Sequence, residues 1–339
     1  DESQLKRAIM TNALVVVFGG SGFVGRQVER ALAKRGYRVR VPMRRPHLGA
    51  DLRVMGDVGQ VQLVQANVRF PESVDAALEG ADAVVNLVAV INQSGKQSFN
   101  TLHVEAARTI AERAAQHGVT KFVQVSALGA ATTGSRYAKS KYAGERAVLE
   151  NMPTATVLRP SIVFGPQDHF FNRFAAMARL ASYLPLGGVP LIGGGKTKFQ
   201  PIFVGDVADA IAAALDRDDA HGKIYELGGP RTYTFKELMQ FVLRTIDRKV
   251  MLVPLPFVFA YPLGLLLQWA FKLNPLMETP LTGDQVIMLY RDNVVGADSE
   301  AGKIQDLGVT TLESVESIVP TYLWRYRPYG QFQTKQNEA

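Results

Sequence analysis

The sequence predicts an α/β protein in which a doubly wound parallel sheet is combined with a smaller, mostly helical C-terminal lobe. Two observations predict this fold class. Short runs rich in β-branched residues alternate with longer segments of helical character, and several of the short runs are apolar throughout. Such alternation is typical of parallel strands joined by crossover helices, and an uninterrupted apolar run is expected where helices cover both faces of a sheet.

Most of the predicted sheet lies in the first half of the chain. The predicted strands, of which the last closes the sheet, are Leu14–Phe18, Val39–Pro42, Val61–Gln65, Ala83–Val88, Lys121–Ser126, Thr156–Pro160 and Ile224–Leu227. The helices predicted between them are Val24–Arg35, Ser73–Leu78, Leu102–His117 and Tyr137–Glu150. Gly36 and Gly118 each follow a predicted helix, where a residue in the left-handed conformation is expected.

The pattern changes after Phe164, where the regular alternation of strands and helices ends. A helix is predicted over Phe170–Leu180, and two later helix starts are predicted from the spacing of capping boxes. These capping boxes are Thr234 with Glu237 and Thr310 with Glu313. The C-terminal third is therefore predicted to be the smaller, mostly helical lobe.

Composition excludes several classes of function. The 339-residue chain is 47% apolar and 20% charged, which is typical of a folded soluble protein. It contains no Cys, so disulfides, thiolate metal sites and Cys nucleophiles are excluded. The net charge of +7 comes without a dense basic run interleaved with aromatic residues, so nucleic acid is not an expected partner. The five His residues show no metal-ligand spacing, and we expect no metal.

Glycines at positions 19, 22 and 25 follow the first predicted strand and open the first helix. Gly19 permits a tight turn, Gly22 lets a pyrophosphate approach the backbone, and Gly25 allows close packing of helix on strand. The free N–H groups of the helix attract phosphates. The pattern predicts a Rossmann-type dinucleotide site, with a purely structural glycine turn as the alternative. The residues of this turn expected to contact the nucleotide are Gly19, Gly20, Ser21, Gly22, Phe23, Val24 and Gly25.

The second predicted strand is followed by Arg44 and Arg45. A site that prefers NAD normally has an acidic residue here to bind the ribose hydroxyls. Two guanidinium groups are instead suited to a 2′-phosphate, so the sequence predicts NADP(H) as cofactor. The alternative is a solvated basic loop.

Tyr137 and Lys141 are predicted to lie one turn apart on one face of a helix that follows a strand ending at Ser126. A nearby ammonium is expected to lower the pKa of the Tyr137 phenol towards neutrality, which would allow acid–base chemistry at a carbonyl. Ser126 is placed to orient that carbonyl. We expect Tyr137 and Lys141 to contact the cofactor whether or not the site turns over.

Other candidate contacts follow the third and fourth strands. Asn67 and Val68, and also Asn86, Val88 and Ala89, lie where the adenine and the nicotinamide ribose would be expected. Each of these positions equally fits ordinary turn chemistry. Asp168 and His169 are predicted to form a loop or a helix cap rather than a catalytic pair.

The stretch 252–273 contains no charged residue before Lys272. Proline interrupts it, and the run from Leu263 to Phe271 is too short for the ~20 residues that span a bilayer. Pro262 is predicted to occupy the first turn of a helix. Two interpretations remain open: a helix packed in the core of the lobe, or an apolar face on a membrane or a partner subunit.

Together these residues resemble the atypical and extended short-chain dehydrogenase/reductase families. The resemblance is carried by the glycine turn, Ser126, Tyr137 with Lys141, and the segment 159–165. Within that group the chain is most similar to the nucleotide-binding accessory subunits of respiratory complex I and their bacterial relatives. The more specific matches are 56–60, 123–128, 164–168, 171–174, 200–207 and 292–295, within a resemblance that extends from Leu14 to Tyr329.

The resemblance implies a tightly held NADPH with a structural role, at the junction of the hydrophilic and membrane arms of NADH:ubiquinone oxidoreductase. It implies the other subunits of that complex as partners, a membrane contact through 252–273, and nucleotide contacts at Pro160 and Ile162. The implied location is the cytoplasmic face of a bacterial inner membrane, with the matrix face of the mitochondrial inner membrane as the alternative.

We therefore expect a nucleotide-binding core and a lobe that meets substrate or partner. The expected core is 12–165 completed by 200–228, the expected lobe is 166–199 with 229–330, and 331–339 is a tail. The alternative function is a free NADPH-dependent reductase or epimerase-like enzyme acting on a quinone- or isoprenoid-type substrate. In that enzyme Ser126 would orient the carbonyl, Tyr137 would donate a proton, and Lys141 would tune Tyr137.

Overall fold

The computed structural model describes residues 12–91, 93, 97–132, 134–184, 187–272, 281–296 and 299–332. Most of the tail predicted over 331–339 therefore lies outside the described residues. The strands are β1 (Leu14–Phe18), β2 (Arg38–Met43), β3 (Val61–Gln65), β4 (Ala83–Asn86), β5 (Lys121–Val125), β6 (Thr156–Pro160), β7 (Val163–Phe164), β8 (Gly188–Ile192), β9 (Lys198–Phe199), β10 (Ile202–Phe203), β11 (Ile224–Leu227), β12 (Tyr233–Thr234), β13 (Met251–Leu255) and β14 (Gly302–Lys303). The helices are α1 (Phe23–Lys34), α2 (Pro71–Leu78), α3 (Ala106–Gln116), α4 (Arg136–Asn151), α5 (Phe171–Ala181), α6 (Val204–Asp216), α7 (Phe235–Thr245), α8 (Phe257–Lys272), α9 (Gly283–Met288), α10 (Val315–Ile318) and α11 (Pro320–Leu323).

Eight strands form one parallel sheet in the order β3-β2-β1-β4-β5-β6-β11-β14. The predicted α/β fold class is confirmed, and every predicted strand is present with its ends within two residues of the prediction. The prediction that Ile224–Leu227 closes the sheet is wrong, because β14 pairs with its outer side. From β1 the strand order runs outward through β2 and β3 on one side, and it continues from β4 on the other side. Ligands of such sheets bind at the carboxyl ends of the strands where the order changes direction, here between β1 and β4.

Helices cover both faces of the sheet, which explains why a central strand such as β1 is apolar throughout. All five residues of β1 are buried. Val15 and Val17 lie in the cluster formed with α1 and α6, whereas Val16 and Phe18 lie in the cluster formed with α2 and α3. Successive side chains of a strand point to opposite faces, so both sets must be apolar.

The helix predicted over Leu102–His117 is interrupted at its start. A single π-helical turn covers Asn100–Glu105, and regular α-helix begins only at Ala106. The wide turn brings the carbonyl oxygen of His103 against Gly144 of α4, where a Cβ would lie only 2.0 Å from that oxygen. This contact sets α3 and α4 close together behind the carboxyl edge of the sheet.

The C-terminal lobe, a term used here for 166–199 and 229–330, is built around a cluster of aromatic side chains. They are Phe170, Phe171, Phe174, Phe199 and Phe235, with Phe164 of the core domain packed against them. Two small strand pairs of the lobe accompany its helices, β8 with β13 and β9 with β12, while a third pair, β7 with β10, lies in the expected core. Of the described residues, those of the lobe are therefore less purely helical than the sequence predicts.

One of the two predicted capping boxes is present. Thr234 and Glu237 cap α7 as expected. The box predicted at Thr310 and Glu313 is wrong, because the backbone N–H of Glu313 donates to a carboxylate oxygen of Asp206 at 2.9 Å. The next helix, α10, begins at Val315 and is capped by the preceding serine.

The apolar stretch near the C-terminus forms a strand and a helix. Its first residues belong to β13, and α8 begins at Phe257, so the prediction that Pro262 lies in the first turn is wrong. Pro262 lacks the N–H that would bond to the carbonyl of Val258. Because Val258 is 77% exposed, water can satisfy that carbonyl. Across the described part of the chain, every helix is too short or too polar to cross a bilayer.

A buried ion pair fixes α4 on the sheet. Glu145 of α4 is 1% exposed and accepts hydrogen bonds from Arg159 of β6, with the guanidinium Nη2 2.6 Å from Oε2. An exposed pair lies on the same helix, since Glu150 accepts from Arg108 of α3 at 3.1 Å with both side chains about half exposed. The two pairs separate the effect of burial from the effect of charge.

We expect Arg159→Met to lower the free energy of unfolding by about 3–5 kcal/mol, because it leaves the Glu145 carboxylate buried without a partner. The matched change Arg108→Met is expected to lower it by less than about 1 kcal/mol, because the exposed Glu150 remains hydrated. Urea unfolding of both variants measures the difference. Equal losses would show that burial does not decide the strength of the Arg159 pair.

Candidate nucleotide-binding site

The turn between β1 and α1 has the backbone geometry that a phosphate site requires. Gly19 has a φ of 82°, and the N–H of Gly22 donates to the Gly19 carbonyl at 3.1 Å. A Cβ on Gly25 would lie 2.1 Å from the carbonyl oxygen of Gly20, so only glycine fits there. α1 then begins without a side-chain cap and without an acidic residue in its first turn. Its first N–H groups are available to an anion.

The two arginines predicted to select the cofactor lie beside this turn. Arg44 and Arg45 directly follow β2, whose neighbour in the sheet is β1, and both are exposed. Neither guanidinium makes a hydrogen bond or an ion pair with another described residue. A third guanidinium, that of Arg26 in the first turns of α1, is paired with Asp51. The end of β2 therefore presents two unneutralised cations.

The residues after β3 and β4 that were predicted to contact the nucleotide lie at the same edge of the sheet. Asn67 and Val68 are partly exposed, and the side-chain oxygen of Asn67 accepts the N–H of Arg69 at 3.2 Å, as in an Asx turn. Val88 is partly exposed and Ala89 is exposed. A Cβ on Gly19 would lie 3.1 Å from the N of Val88, so these two backbones are in contact.

Lys141 follows Tyr137 by one turn of α4 and is bonded to the end of β5, directly before Ser126. The Lys141 ammonium is buried and donates to the carbonyl oxygen of Val125 at 2.8 Å. The Ser126 hydroxyl is buried and has no hydrogen-bond partner among the described residues. Burial raises the pKa of Tyr137 to about 12 and lowers the pKa of Lys141 to about 8, although Glu145 opposes the second shift. The expected lowering of the Tyr137 pKa is therefore wrong for this structure: burial dominates.

Two side chains that the sequence analysis missed enclose Tyr137. Phe99 and His103 stack on each other, and both meet the Tyr137 ring edge-on at centroid distances of 5.9 and 5.5 Å. The Nε2 of His103 accepts the N–H of Val90 at 3.0 Å, so Nδ1 carries the proton and faces Ser140 Oγ at 2.8 Å. Burial, followed by the charge of Lys141, lowers the pKa of His103 to about 3 and keeps the ring neutral.

The sequence analysis also missed Glu29 of α1, which lies directly beneath the glycine turn. It is 0% exposed, and neither carboxylate oxygen has a hydrogen-bond partner among the described residues. A Cβ on Gly20 would lie 2.5 Å from Glu29 Oε1, so the missing side chain of Gly20 makes room for this carboxylate. Burial raises the pKa of Glu29 to about 8, with Arg26 opposing and Asp51 reinforcing the shift. The sequence signal that could have identified Glu29 is a carboxyl group on the apolar face of a predicted helix.

The lobe completes the site at the ends of β5 and β6. Pro160 is buried and accepts the N–H of Leu128 at 2.9 Å, and Ile162 is partly exposed. Asn293 of the lobe accepts the hydroxyl of Ser161 at 2.6 Å and donates to the carbonyl of Leu128 at 3.3 Å. Asp168 accepts the N–H of Asn172 at the start of α5, which agrees with its prediction as a loop or cap residue.

The structure thus brings to one edge of the sheet the glycine turn, two guanidinium groups without a partner among the described residues, and the partly exposed Tyr137 with the buried Lys141. This set is suited to a ligand with a pyrophosphate, a further phosphate and a polar sugar. Within the ranges that the structure describes, no cluster of three or more His, Asp and Glu could hold a metal ion.

Comparison with known proteins gives three informative matches. The model of the NAD dependent epimerase/dehydratase family matches residues 15–228. NADH dehydrogenase (ubiquinone) 1 alpha subcomplex subunit 9, mitochondrial, of Arabidopsis thaliana is 34% identical over 336 residues, which cover 96% of this chain and 80% of the plant protein. Ceramide reductase of Caulobacter vibrioides is 31% identical over 246 residues, which cover 72% of this chain and 74% of the reductase.

Among solved structures, the NADPH-dependent quinone oxidoreductase of Escherichia coli, crystallised with NADPH, has a TM-score of 0.70. It is 17% identical, and the match covers 91% of this chain and 99% of that one. At this level of identity the likeness establishes the fold alone.

The buried Glu29 predicts a specific pH dependence of stability. In the unfolded chain it ionises near its usual value of 4.5, but in the folded chain only near 8. As pH rises between these values the unfolded chain releases a proton that the folded chain retains, so stability falls by up to about 1.4 kcal/mol per pH unit. Above the folded-state pKa the fall ends.

We therefore expect Glu29→Gln to gain stability relative to the unaltered chain as the pH rises from about 5 to about 8, because glutamine does not titrate. Urea unfolding of both chains across this range measures the change in their difference. Parallel profiles would show that Glu29 is ionised in the folded chain throughout.

Proposed function

The chain belongs to the NAD dependent epimerase/dehydratase family, and on that premise we propose that it is an NADP(H)-binding accessory subunit of respiratory complex I. In this role the nucleotide is structural and supports assembly or stability at the junction with the membrane arm. The observation that carries the proposal is the extent of the similarity to the plant subunit, which covers 96% of the chain and therefore includes the lobe.

The residues at the carboxyl edge fit NADP(H). The backbone of the glycine turn, at Gly19, Gly22 and Gly25, would hold the pyrophosphate, and the unpaired Arg44 and Arg45 would hold the 2′-phosphate. Tyr137 and Lys141 would hold the ribose on the nicotinamide side. The other proposed contacts are Gly20, Ser21, Phe23, Val24, Asn67, Val68, Val88, Ala89, Pro160 and Ile162. When bound, the nicotinamide can supply a hydride, but the proposed role does not require it.

The exposed face of α8 supports a membrane contact. Seven of its large apolar side chains are at least 39% exposed: Val258, Phe259, Tyr261, Leu263, Leu265, Leu266 and Trp269. Met251 and Val253 of β13, the strand that precedes α8, are also exposed, at 60% and 44%. An apolar face of this size, with a tryptophan, is typical of a helix that lies in the interface of a bilayer. We propose a peripheral position on the membrane that holds the complex, on its cytoplasmic side in a bacterium.

A free reductase or epimerase-like enzyme acting on a quinone- or isoprenoid-type substrate is the second candidate. The intact Ser126, Tyr137 and Lys141 and the similarity to ceramide reductase favour it. That similarity covers only 72% of the chain, whereas the similarity to the plant subunit covers 96%. This difference favours the accessory subunit.

Exchange of the two arginines tests the cofactor. We expect Arg44→Asp with Arg45→Ser to weaken NADPH binding by about 100-fold and NADH binding little, because only NADPH has the 2′-phosphate. Fluorescence titration with both nucleotides measures the two losses. Arg38→Ser, at the opposite end of β2, is the matched control and is expected to leave NADPH binding unchanged. Equal losses for NADPH and NADH would contradict the preference for NADP(H).

Native electrophoresis tests the assembly. Membranes are solubilised in mild detergent, and the chain is followed by mass spectrometry beside an in-gel stain for NADH dehydrogenase activity. We expect the chain to comigrate with that activity in a very large complex, and Tyr137→Phe to do the same while respiration is retained. A single small soluble species would contradict the accessory role. Loss of function in a Tyr137→Phe chain that still binds nucleotide would favour the enzyme.

A further inference from the structure

The first turn of α4 is capped from a distant part of the chain. The N–H groups of Arg136 and Tyr137 donate to the two carboxylate oxygens of Asp284 at 2.6 and 3.1 Å. The next N–H, of Ala138, donates to the side chain of Ser135 at 3.0 Å. Local sequence thus supplies one of the three acceptors, and a residue 147 positions away supplies both of the others. One of its two donors is the backbone of Tyr137 itself.

Asp284 is held firmly in the lobe. It lies on α9, whose own start is fixed by the capping box of Thr282 and Gln285. The buried Val286 anchors α9 in a small core with Ile192 and Ala260, and Ala260 belongs to α8. The position of the carboxylate is therefore set by the packing of α9 on α8.

The backbones of α8 and α9 are closely packed. A Cβ on Gly264 of α8 would lie 3.0 Å from the backbone N of Gly283, and a Cβ on Gly283 would lie 2.9 Å from Leu265. Close-packed backbones of this kind move together. The exposed apolar face adjoins this contact, because Leu265 and Tyr261 of that face are the side chains nearest to a Cβ built on Gly283. A shift of the face is therefore expected to move the helix that carries Asp284.

α4 connects this cap to the nucleotide-binding site. It carries Tyr137 in its first turn and Lys141 one turn later, with Lys141 bonded to the end of β5. Tyr137 is thus held at two places. Its amide bonds to Asp284 of the lobe, and its ring contacts Phe99 and His103.

We propose that Asp284 is a positioning residue that couples the apolar face of α8 to the nicotinamide half of the nucleotide-binding site. This inference rests on the proposed function, because it takes the nucleotide and the membrane contact from there. The carboxylate stabilises the first turn of α4 by two charge-assisted hydrogen bonds and by its charge at a helix N-terminus. Docking of α8 on a membrane fixes α9, and the cap then holds Tyr137 in place. By linkage, nucleotide binding favours docking to the same degree.

The first test separates the two halves of the nucleotide. Asp284→Ala is expected to weaken NADPH binding about tenfold, the effect of losing one strong helix cap. It is expected to leave binding of 2′,5′-ADP unchanged, because this probe lacks the nicotinamide and its ribose. Asp284→Glu is expected to recover much of the NADPH affinity. The matched control is Glu237→Ala, which removes the carboxylate that caps α7 and contacts no part of α4.

An equal loss of NADPH and 2′,5′-ADP binding would overturn the proposal, because it would show general destabilisation. Unchanged binding of both would also overturn it. If the unaltered chain binds neither probe, the proposed function fails independently of Asp284, and hydrogen exchange then decides the mechanical link. Without nucleotide, the amides of Arg136 and Tyr137 are expected to exchange faster in Asp284→Ala than in Glu237→Ala.

A second variant tests the route through α8. Gly264→Ala pushes α8 away from α9 and is expected to speed exchange at the same two amides, whereas Gly296→Ala, where a Cβ meets only ordinary contacts, is not. Vesicles of anionic phospholipid are expected to tighten NADPH binding of the unaltered chain and not of Asp284→Ala. Vesicles that bind the chain but leave NADPH affinity unchanged would overturn the coupling.

Discussion

The nucleotide-binding edge depends on the contact between the backbone of Gly20 and Gly25. Because Gly25 has no Cβ, the first turn of α1 lies directly on the turn that leaves β1. Its first N–H groups have no side-chain cap, as the proposed phosphate contact requires. Gly20 has no Cβ either, and the space on its far side is taken by the carboxyl group of Glu29. The turn is thus packed against two residues of α1, Gly25 on one side and Glu29 on the other. A side chain at either glycine would displace α1 from the central strand.

The lobe reaches this edge through a few polar contacts, in addition to the apolar packing of Phe164 and Ile304 between the two parts of the chain. Asn293 connects the segments that follow β5 and β6, and Asp284 caps α4. Each of these polar contacts joins residues more than 130 positions apart and lies at the carboxyl side of the sheet. The geometry of the nucleotide-binding site is therefore determined by both parts of the chain, which no segment of sequence can show.

The sequence was sufficient where structure is determined by local burial or local turns. β1 could be predicted because burial on both faces requires an apolar run, and α7 because its cap uses neighbouring residues. The same capping signature failed at Thr310, because Asp206, far away in the chain, binds the amide of Glu313. Glu29 could have been noticed as a charge on an apolar stripe. Asp284 could not, since its partners are 147 and 148 residues away and its own surroundings resemble any exposed helix start.

The Tyr–Lys motif shows most clearly what spacing can and cannot establish. Spacing places Tyr137 and Lys141 on one helix face, but their electrostatics depend on the surrounding protein. The Lys141 ammonium is bound to the carbonyl of Val125, and burial disfavours its charge, while Phe99 and His103 enclose the phenol. Acid–base catalysis is most efficient with a phenol that ionises near neutrality. Holding a ribose needs only a neutral hydroxyl and an N–H donor, and both are present. An intact motif is therefore fully compatible with a nucleotide that is bound for structure and not for turnover.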